Sequence, residues 1–426
     1  MKQVNLFLLS ILLIISCIPL NGQEPGDPGS LRKGAVKVFF DCNSCDMNYT
    51  RQQIPYVNYV RDVTEAEVYI LVTNLTAGNG GTQFTITLNG QGRFDGMNDT
   101  LVYTSNPDET STVRREKKTN MIKMGLMRYV AKSPLFSEIE IRHNADLEEE
   151  EVIDKWNNWV FEISTEPVFE SEEANKQMDL RNSFTVKKVT EKMKFDLDLD
   201  QFYNREKFIE YVNTDSAETE TYYTNIIDLD NLLVLSISDH WSAGFKFTLG
   251  SSTRENYKFT TAILPAIEYD IFPYSESTHR QLRILYGIGI RYNQYVGESI
   301  YNRMSEDLYM NALNVAFQVR KRWGYIDISL EGSNYFHDLS KNRVELNTDL
   351  NFRIFKGLSL SIEGGVAHIN DQLNLRKGDI SEAERLLKLR EIATKYRFEG
   401  GIQITYTFGS IYNNVVNPRF GNSNYF

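Results

Sequence analysis

The chain has 426 residues, a formal net charge of −11 and a pI of about 5.2. It carries no basic block, which argues against nucleic acid as a partner. Mean hydropathy is −0.39, and after residue 20 no run approaches the ~18 apolar residues of a membrane helix. A β-barrel is the one membrane architecture compatible with so polar an average. The 24 Tyr and 24 Phe suit such a barrel, whose rims carry aromatic girdles.

Residues 1 to 22 read as a secretory signal: Lys2, the apolar run Leu6 to Leu20, then Asn21-Gly22-Gln23, with cleavage expected after Gly22. The rival reading is Ile14-Ile15-Ser16-Cys17 as a lipobox, with Cys17 the lipidated first residue. Either way the expected route is export in a Gram-negative bacterium. Pro25, Gly26, Pro28 and Gly29 mark a flexible lead-in.

A compact periplasmic α/β domain is expected over residues 34–145. Its strands are Ala35 to Phe40, Glu67 to Thr73, Thr82 to Leu88 and Thr100 to Thr104, with Glu138 to Arg142 closing the sheet. Met47 to Arg61 reads as a helix disturbed by Pro55. Asp108 to Lys132 reads as a longer one, with Ile122, Leu126, Tyr129 and Val130 at helical spacing. The order β-α-β-β-β-α-β resembles in topology the periplasmic domains of the curli-export lipoprotein and TolB-N families.

After the acidic break Asp146 to Glu151 the texture becomes long alternating runs, about twelve in number. In Arg343 to Ile354, Val344, Leu346, Leu350, Phe352 and Ile354 alternate with Arg343, Glu345, Asn347, Asp349, Asn351 and Arg353. Side chains alternate faces along a strand, so one face is apolar and the other polar. An antiparallel transmembrane β-barrel of about twelve strands is therefore expected over residues 153–409, with a periplasmic tail over 410–426. From a periplasmic start, odd connections should be long and extracellular, even ones short and periplasmic. The even ones fall near Thr190, Ser238-Asp239, Pro273 to His279, Trp323-Gly324 and Lys356-Gly357. The odd ones include Asn204 to Glu218, Glu298 to Glu306, Phe336 to Lys341 and His368 to Ala393. Within the last, Ser381 and Glu384 have capping-box spacing.

The polar face is rich in charge of both signs: Arg283, Arg291, Asp327, Glu331, Arg343, Glu345, Asp349, Arg353, Lys395, Arg397 and Glu399. Cross-strand pairing of these groups would fill a barrel lumen, and a narrow aqueous pore is the alternative. A mostly occluded lumen is expected. In the last strand Glu399, Gly401, Ile404, Tyr406 and Phe408 resemble the signal read by barrel-insertion machinery, although here a tail follows it.

Asp41-Cys42-Asn43-Ser44-Cys45-Asp46 follows a strand, as a thioredoxin-type motif would, but lacks the preceding Trp and a matching proline loop. A structural disulfide between Cys42 and Cys45 is the expectation, and a metal site has too few soft ligands. His337 in HDLS and His368 in HIND lie at the expected extracellular rim, where a hydrolase could place them, but no nucleophile motif accompanies them.

The stretches LPAIEYDIFPYSESTHRQLR and YTFGSIYNNVVNPRF resemble a family of outer-membrane β-barrel proteins of diderm bacteria. That resemblance implies a location and no activity. The expectation is a non-enzymatic protein of the cell outer membrane, without cofactor, acting as an envelope anchor or narrow small-solute channel. Its partners would be outer-membrane lipid, the barrel-insertion machinery and a periplasmic protein or the cell wall. The alternatives are a component of an export or assembly system, and a rim hydrolase.

Overall fold

The computed structural model describes residues 33–78, 80–140, 155–213, 216–379 and 389–409. The expected signal, Cys17, the acidic break at 146–151, the pair Ser381 and Glu384, and the C-terminal tail lie outside them.

The first unit is a five-stranded mixed sheet in the order β2-β1-β3-β4-β5. Its strands are β1 (Lys37–Asp41), β2 (Asn58–Tyr59), β3 (Val68–Thr76), β4 (Thr82–Gly90) and β5 (Asn98–Thr104). β1 runs parallel to β2 and β3, and the remaining pairs are antiparallel. Helix α1 (Met47–Gln53) begins where the Asp46 carboxylate accepts from the Tyr49 N–H at 3.0 Å. It stops before Pro55, well short of the expected Arg61, because the residue preceding a proline is driven out of the helical region. Helix α2 (Ser111–Val130) is capped by Thr110. Its Ile122, Leu126, Tyr129 and Val130 are wholly buried against Val36, Ile70, Ile86 and Leu88. Each such side chain stabilises the domain by roughly 1.5–3 kcal/mol relative to exposure.

The edge strand expected at Glu138 to Arg142 is not formed within the described residues. Pro134–Glu138 is a 3-10 turn, and the short β2 occupies the sheet edge beside β1. Pro134 sits at the start of that turn, where its fixed φ favours a turn and its missing N–H spoils a strand.

The second unit is a twelve-stranded antiparallel sheet in strict chain order. It comprises β6 (Trp159–Ser171), β7 (Asn175–Val189), β8 (Met193–Asn213), β9 (Ser216–Ser236), β10 (Trp241–Ser252) and β11 (Tyr257–Asp270). The rest are β12 (Arg280–Tyr295), β13 (Ser305–Lys321), β14 (Gly324–Tyr335), β15 (Asp338–Phe355), β16 (Leu358–Ile369) and β17 (Tyr396–Tyr406). The expected loop Asn204 to Glu218 is instead strand, because β8 and β9 pair as far as Asn213 and Ser216. Phe208, Ile209, Tyr211 and Val212 within it favour a strand, against the charged and polar residues that suggest a loop.

The sheet is not closed into a barrel. β6 and β17 each pair on one side only and form its two edges. Eleven seams are fixed locally, each by the connection between consecutive strands. No turn joins β6 to β17, so the twelfth seam carries the largest loop-closure cost and the least local specification.

The sheet is nevertheless strongly curled. Asn374, in the β16–β17 connection, donates to the Glu255 carbonyl in the β10–β11 turn at 2.9 Å, and Asn256 donates back to the Asn374 carbonyl at 2.9 Å. In a flat sheet β10 and β16 would lie about 29 Å apart, at ~4.8 Å per strand. Curling also makes one face concave. Register places Asp327 opposite Asp349, Glu331 opposite Glu345 and Ala367 opposite Arg397 on that face.

Candidate functional site

The concave face is polar, and several of its charges pair with one another, although like charges also lie opposite in register, as Glu331 does Glu345. Arg343 bonds Asp371 at 3.1 Å, Arg397 bonds Glu345 at 2.7 Å, and Arg320 bonds Asp327 at 2.8 Å. Arg283 reaches Glu268 at 3.6 Å, and Asp349 accepts from the Tyr325 hydroxyl at 3.0 Å. Arg291 and Glu331 line a cavity of about 230 Å³ with Lys246, Tyr335 and Asp371. Glu399, on the edge strand β17, lies opposite Gly365 and is exposed, and Lys395 immediately precedes that strand.

The opposite, convex face is predominantly apolar and exposed, interrupted by polar residues such as Asn182, Gln201, Asn311 and His368. On β17, Tyr396, Phe398, Ile402 and Ile404 are each more than 70 % exposed. Tryptophans gather at one end of it: Trp159 packs on Phe195, Trp241 on Tyr269 and Trp323 on Phe352. Phe355, Tyr406 and Phe408 continue the row. This is the end of the even connections. The expected contrast with long odd ones holds only for β12–β13 and β16–β17. β14 and β15 are joined by Phe336 and His337 alone, so most of the expected loop Phe336 to Lys341 is strand. The other odd connections are equally short because the strands extend to the turns. From Tyr396 to Tyr406 the apolar stripe runs ~33 Å along the strand, or ~25 Å once the strand is tilted by ~40°.

The α/β domain docks at that same end. The Arg353 guanidinium, expected among the lumen charges, bonds Asp41 at 2.8 Å instead, and Asp41 also accepts from the Tyr69 hydroxyl at 2.6 Å. Lys356 pairs with Glu65, and the Gly357 N–H donates to Asp62 at 2.7 Å. Gly357 has a positive φ of 77°, and a Cβ there would lie 2.1 Å from the Thr407 carbonyl oxygen, so the turn that presents this N–H requires glycine. Thr87 contacts the His279 ring at 3.3 Å, and Arg61 donates to the Phe408 carbonyl at 3.1 Å. At the other edge, the β3–β4 turn meets β6 and β7: Gly80 lies against Val160, and Gly78 against Val189. The domain thus touches both edges of the sheet and the turns between.

Two of these groups are tuned by the dock. Burial raises the Asp62 carboxyl, but hydrogen bonds from Thr64 and the Gly357 N–H outweigh it and hold the group below its ordinary value. Burial and the nearby Lys321 lower His279, which Glu276 only partly offsets. The dock was not legible in the sequence. Asp41, Asp62, Glu65 and Lys356 lie in ordinary turn sequences, and nothing local announces a distant partner.

Cys42 and Cys45 form a disulfide that closes the loop between β1 and α1. Its neighbour Ser44 receives the buried Lys118 ammonium. The two rim histidines do not converge on a nucleophile. His368 shares the apolar face with Val344 and Tyr396. The His337 ring lies tilted beside Tyr335, while Asp338 is engaged by Ser340. Among the described residues no cluster of three metal-ligating side chains occurs. Compared with protein-family models and with curated proteins, the sequence matches none.

Proposed function

We propose that this chain is an outer-membrane protein whose twelve strands close into a barrel in lipid, with the α/β domain held in the periplasm across its mouth. The barrel is an anchor. Its lumen is filled by paired charges and covered by the domain, and the domain is the part that meets other molecules. The exposed apolar face, its aromatic end row and its ~25 Å height support the membrane setting. A bilayer also supplies what β6 and β17 lack, since unpaired strand edges are untenable in hydrocarbon and drive the last seam to pair.

The observation that carries the anchor reading is the dock. Asp41–Arg353, Glu65–Lys356 and the Asp62–Gly357 contact tie the domain to the barrel's short turns at several separated points. Such a multi-point dock fixes orientation, which suits presentation of a domain rather than passage of solute.

Planar-bilayer recording tests this. The intact chain should carry no steady current, while the combined variant Asp41→Ala, Asp62→Ala, Glu65→Ala should raise the frequency of brief openings. Steady ohmic conductance from the intact chain would replace the anchor with a narrow channel. Protease should reach the α/β domain only after the outer membrane is permeabilised.

A further inference from the structure

The α/β domain holds a cavity that the dock leaves unused. It measures about 500 Å³ and lies between the start of α2, the Cys42–Cys45 loop and the ends of β3 and β4. Three cations line it, Arg114, Arg115 and Lys118, against one carboxylate, Asp46, in a chain whose net charge is −11. Arg114 and Lys118 stand one helical turn apart, where like charges repel.

Each cation is constrained. Lys118 is 6 % exposed, and its Nζ donates to the Ser44 carbonyl at 2.7 Å over the Phe84 ring. Burial and the Arg114 charge push its ammonium below the usual lysine range. Arg115 gives one guanidinium nitrogen to Asp46 at 3.0 Å, while its buried Nε has no acceptor. Arg114 has no carboxylate partner among the described residues. Asp46 is already committed to Arg115 and to capping α1.

Like charges held in one half-enclosed cavity cost free energy that a bound counter-charge relieves. Ser111, at the start of the 20-residue α2, adds the positive end of the helix dipole, beyond the Val113 and Arg114 N–H groups that Thr110 already satisfies. We propose that this cavity binds a phosphate group carried by a larger molecule. Arginine's fork and lysine's point charge suit a tetrahedral oxyanion, and the hydroxyls of Ser111, Thr119 and Thr82 supply further donors. The volume exceeds that of the free ion, which leaves room for what bears the phosphate. The site lies wholly in the α/β domain and is independent of how the sheet closes.

Titration of the full chain in a non-ionic maltoside with inorganic phosphate tests the site. Saturable binding is expected, weakened about tenfold or more in Arg114→Gln, as for loss of one charge-assisted contact. Lys117→Gln is the control. It makes the same charge change on the same helix, at a residue paired with Glu109 outside the cavity, and should leave binding unchanged. Glycerol phosphate and vesicles of phosphatidylcholine with phosphatidylglycerol then assign the source. Arg114-dependent binding to the first marks a soluble phosphate ester, and to the second a lipid headgroup. No saturable phosphate binding, or equal loss in Arg114→Gln and Lys117→Gln, overturns the proposal.

Discussion

The two sheets of this protein use the same alternation to opposite ends. In the α/β domain Val38, Ile70, Ile86 and Leu88 turn inward against α2 and are at most 0 % exposed. In the twelve-stranded sheet Phe398, Ile402 and Ile404 turn outward with no element over them among the described residues, and the charged face takes the inside. Burial of apolar surface accounts for the first arrangement in water. The second leaves a large apolar surface exposed, and exposed apolar patches of more than a few hundred Å² mark a surface that meets a partner or a membrane. Under the outer-membrane reading proposed above, the difference is one of solvent, water for the first sheet and lipid for the second.

The sharpest way to probe that contrast is to cut the same kind of side chain from each. Ile122→Ala should destabilise the α/β domain by about 2–5 kcal/mol, because a cavity opens in a closed core. Ile402→Ala should shift unfolding in detergent by under ~1 kcal/mol, having no packed core to lose. Urea or thermal melts of the two variants give the comparison directly, and equal losses would break it.

A charge tests the solvent itself. Ile402→Arg should cost about 2–4 kcal/mol of folding into lipid vesicles, the depth-dependent price of arginine near the bilayer midplane. If the sheet faced water, arginine at a position 74 % exposed would be nearly neutral.

The contact between the two regions comes next in size. Arg353→Met removes the partner of Asp41 and leaves a half-buried carboxylate with Tyr69 alone, at a cost of about 1–3 kcal/mol. Hydrogen exchange should rise in β1 and β3 along the dock while the α2 core stays protected. Exchange rising in α2 as well would mean that the domain depends on the sheet for its own fold.

The smallest effect is that of pH. His279 has a folded value below its ordinary 6.5, so its contribution is fully present above 6.5 and is lost as pH falls through the folded value. Asp62 is likewise depressed, so its contribution is full above the ordinary carboxylate value of 3.8 and is lost only at more acid pH, through its lowered one. Exchange at the dock should therefore loosen in two acid steps, and His279→Gln should remove only the first.

Much of the architecture was readable along the chain. The twelve runs, the strand-long alternation in Arg343 to Ile354 and the short even turns all reappear, because each is a local pattern repeated where local hydrogen bonding suffices. α2 was legible for the same reason, since the spacing of Ile122, Leu126 and Tyr129 needs no distant partner. The β8–β9 ribbon was misread as loop at Asn204 to Glu218, where polar strand and polar loop share a composition. The edge strand β2 does not stand out either, because two residues at Asn58–Tyr59 are too few to signal a strand.

What the sequence determined by itself is therefore the number and order of the strands in the large sheet and the alternation of faces along them, consequences of period-two geometry and local pairing. The tertiary structure decided which charges meet. Arg353 reaches Asp41 across 312 positions, Lys356 finds Glu65, and Arg114, Arg115 and Lys118 converge on one cavity. Those meetings depend on how the α/β domain folds and where it sits, and no periodicity along a chain encodes the distance between two surfaces.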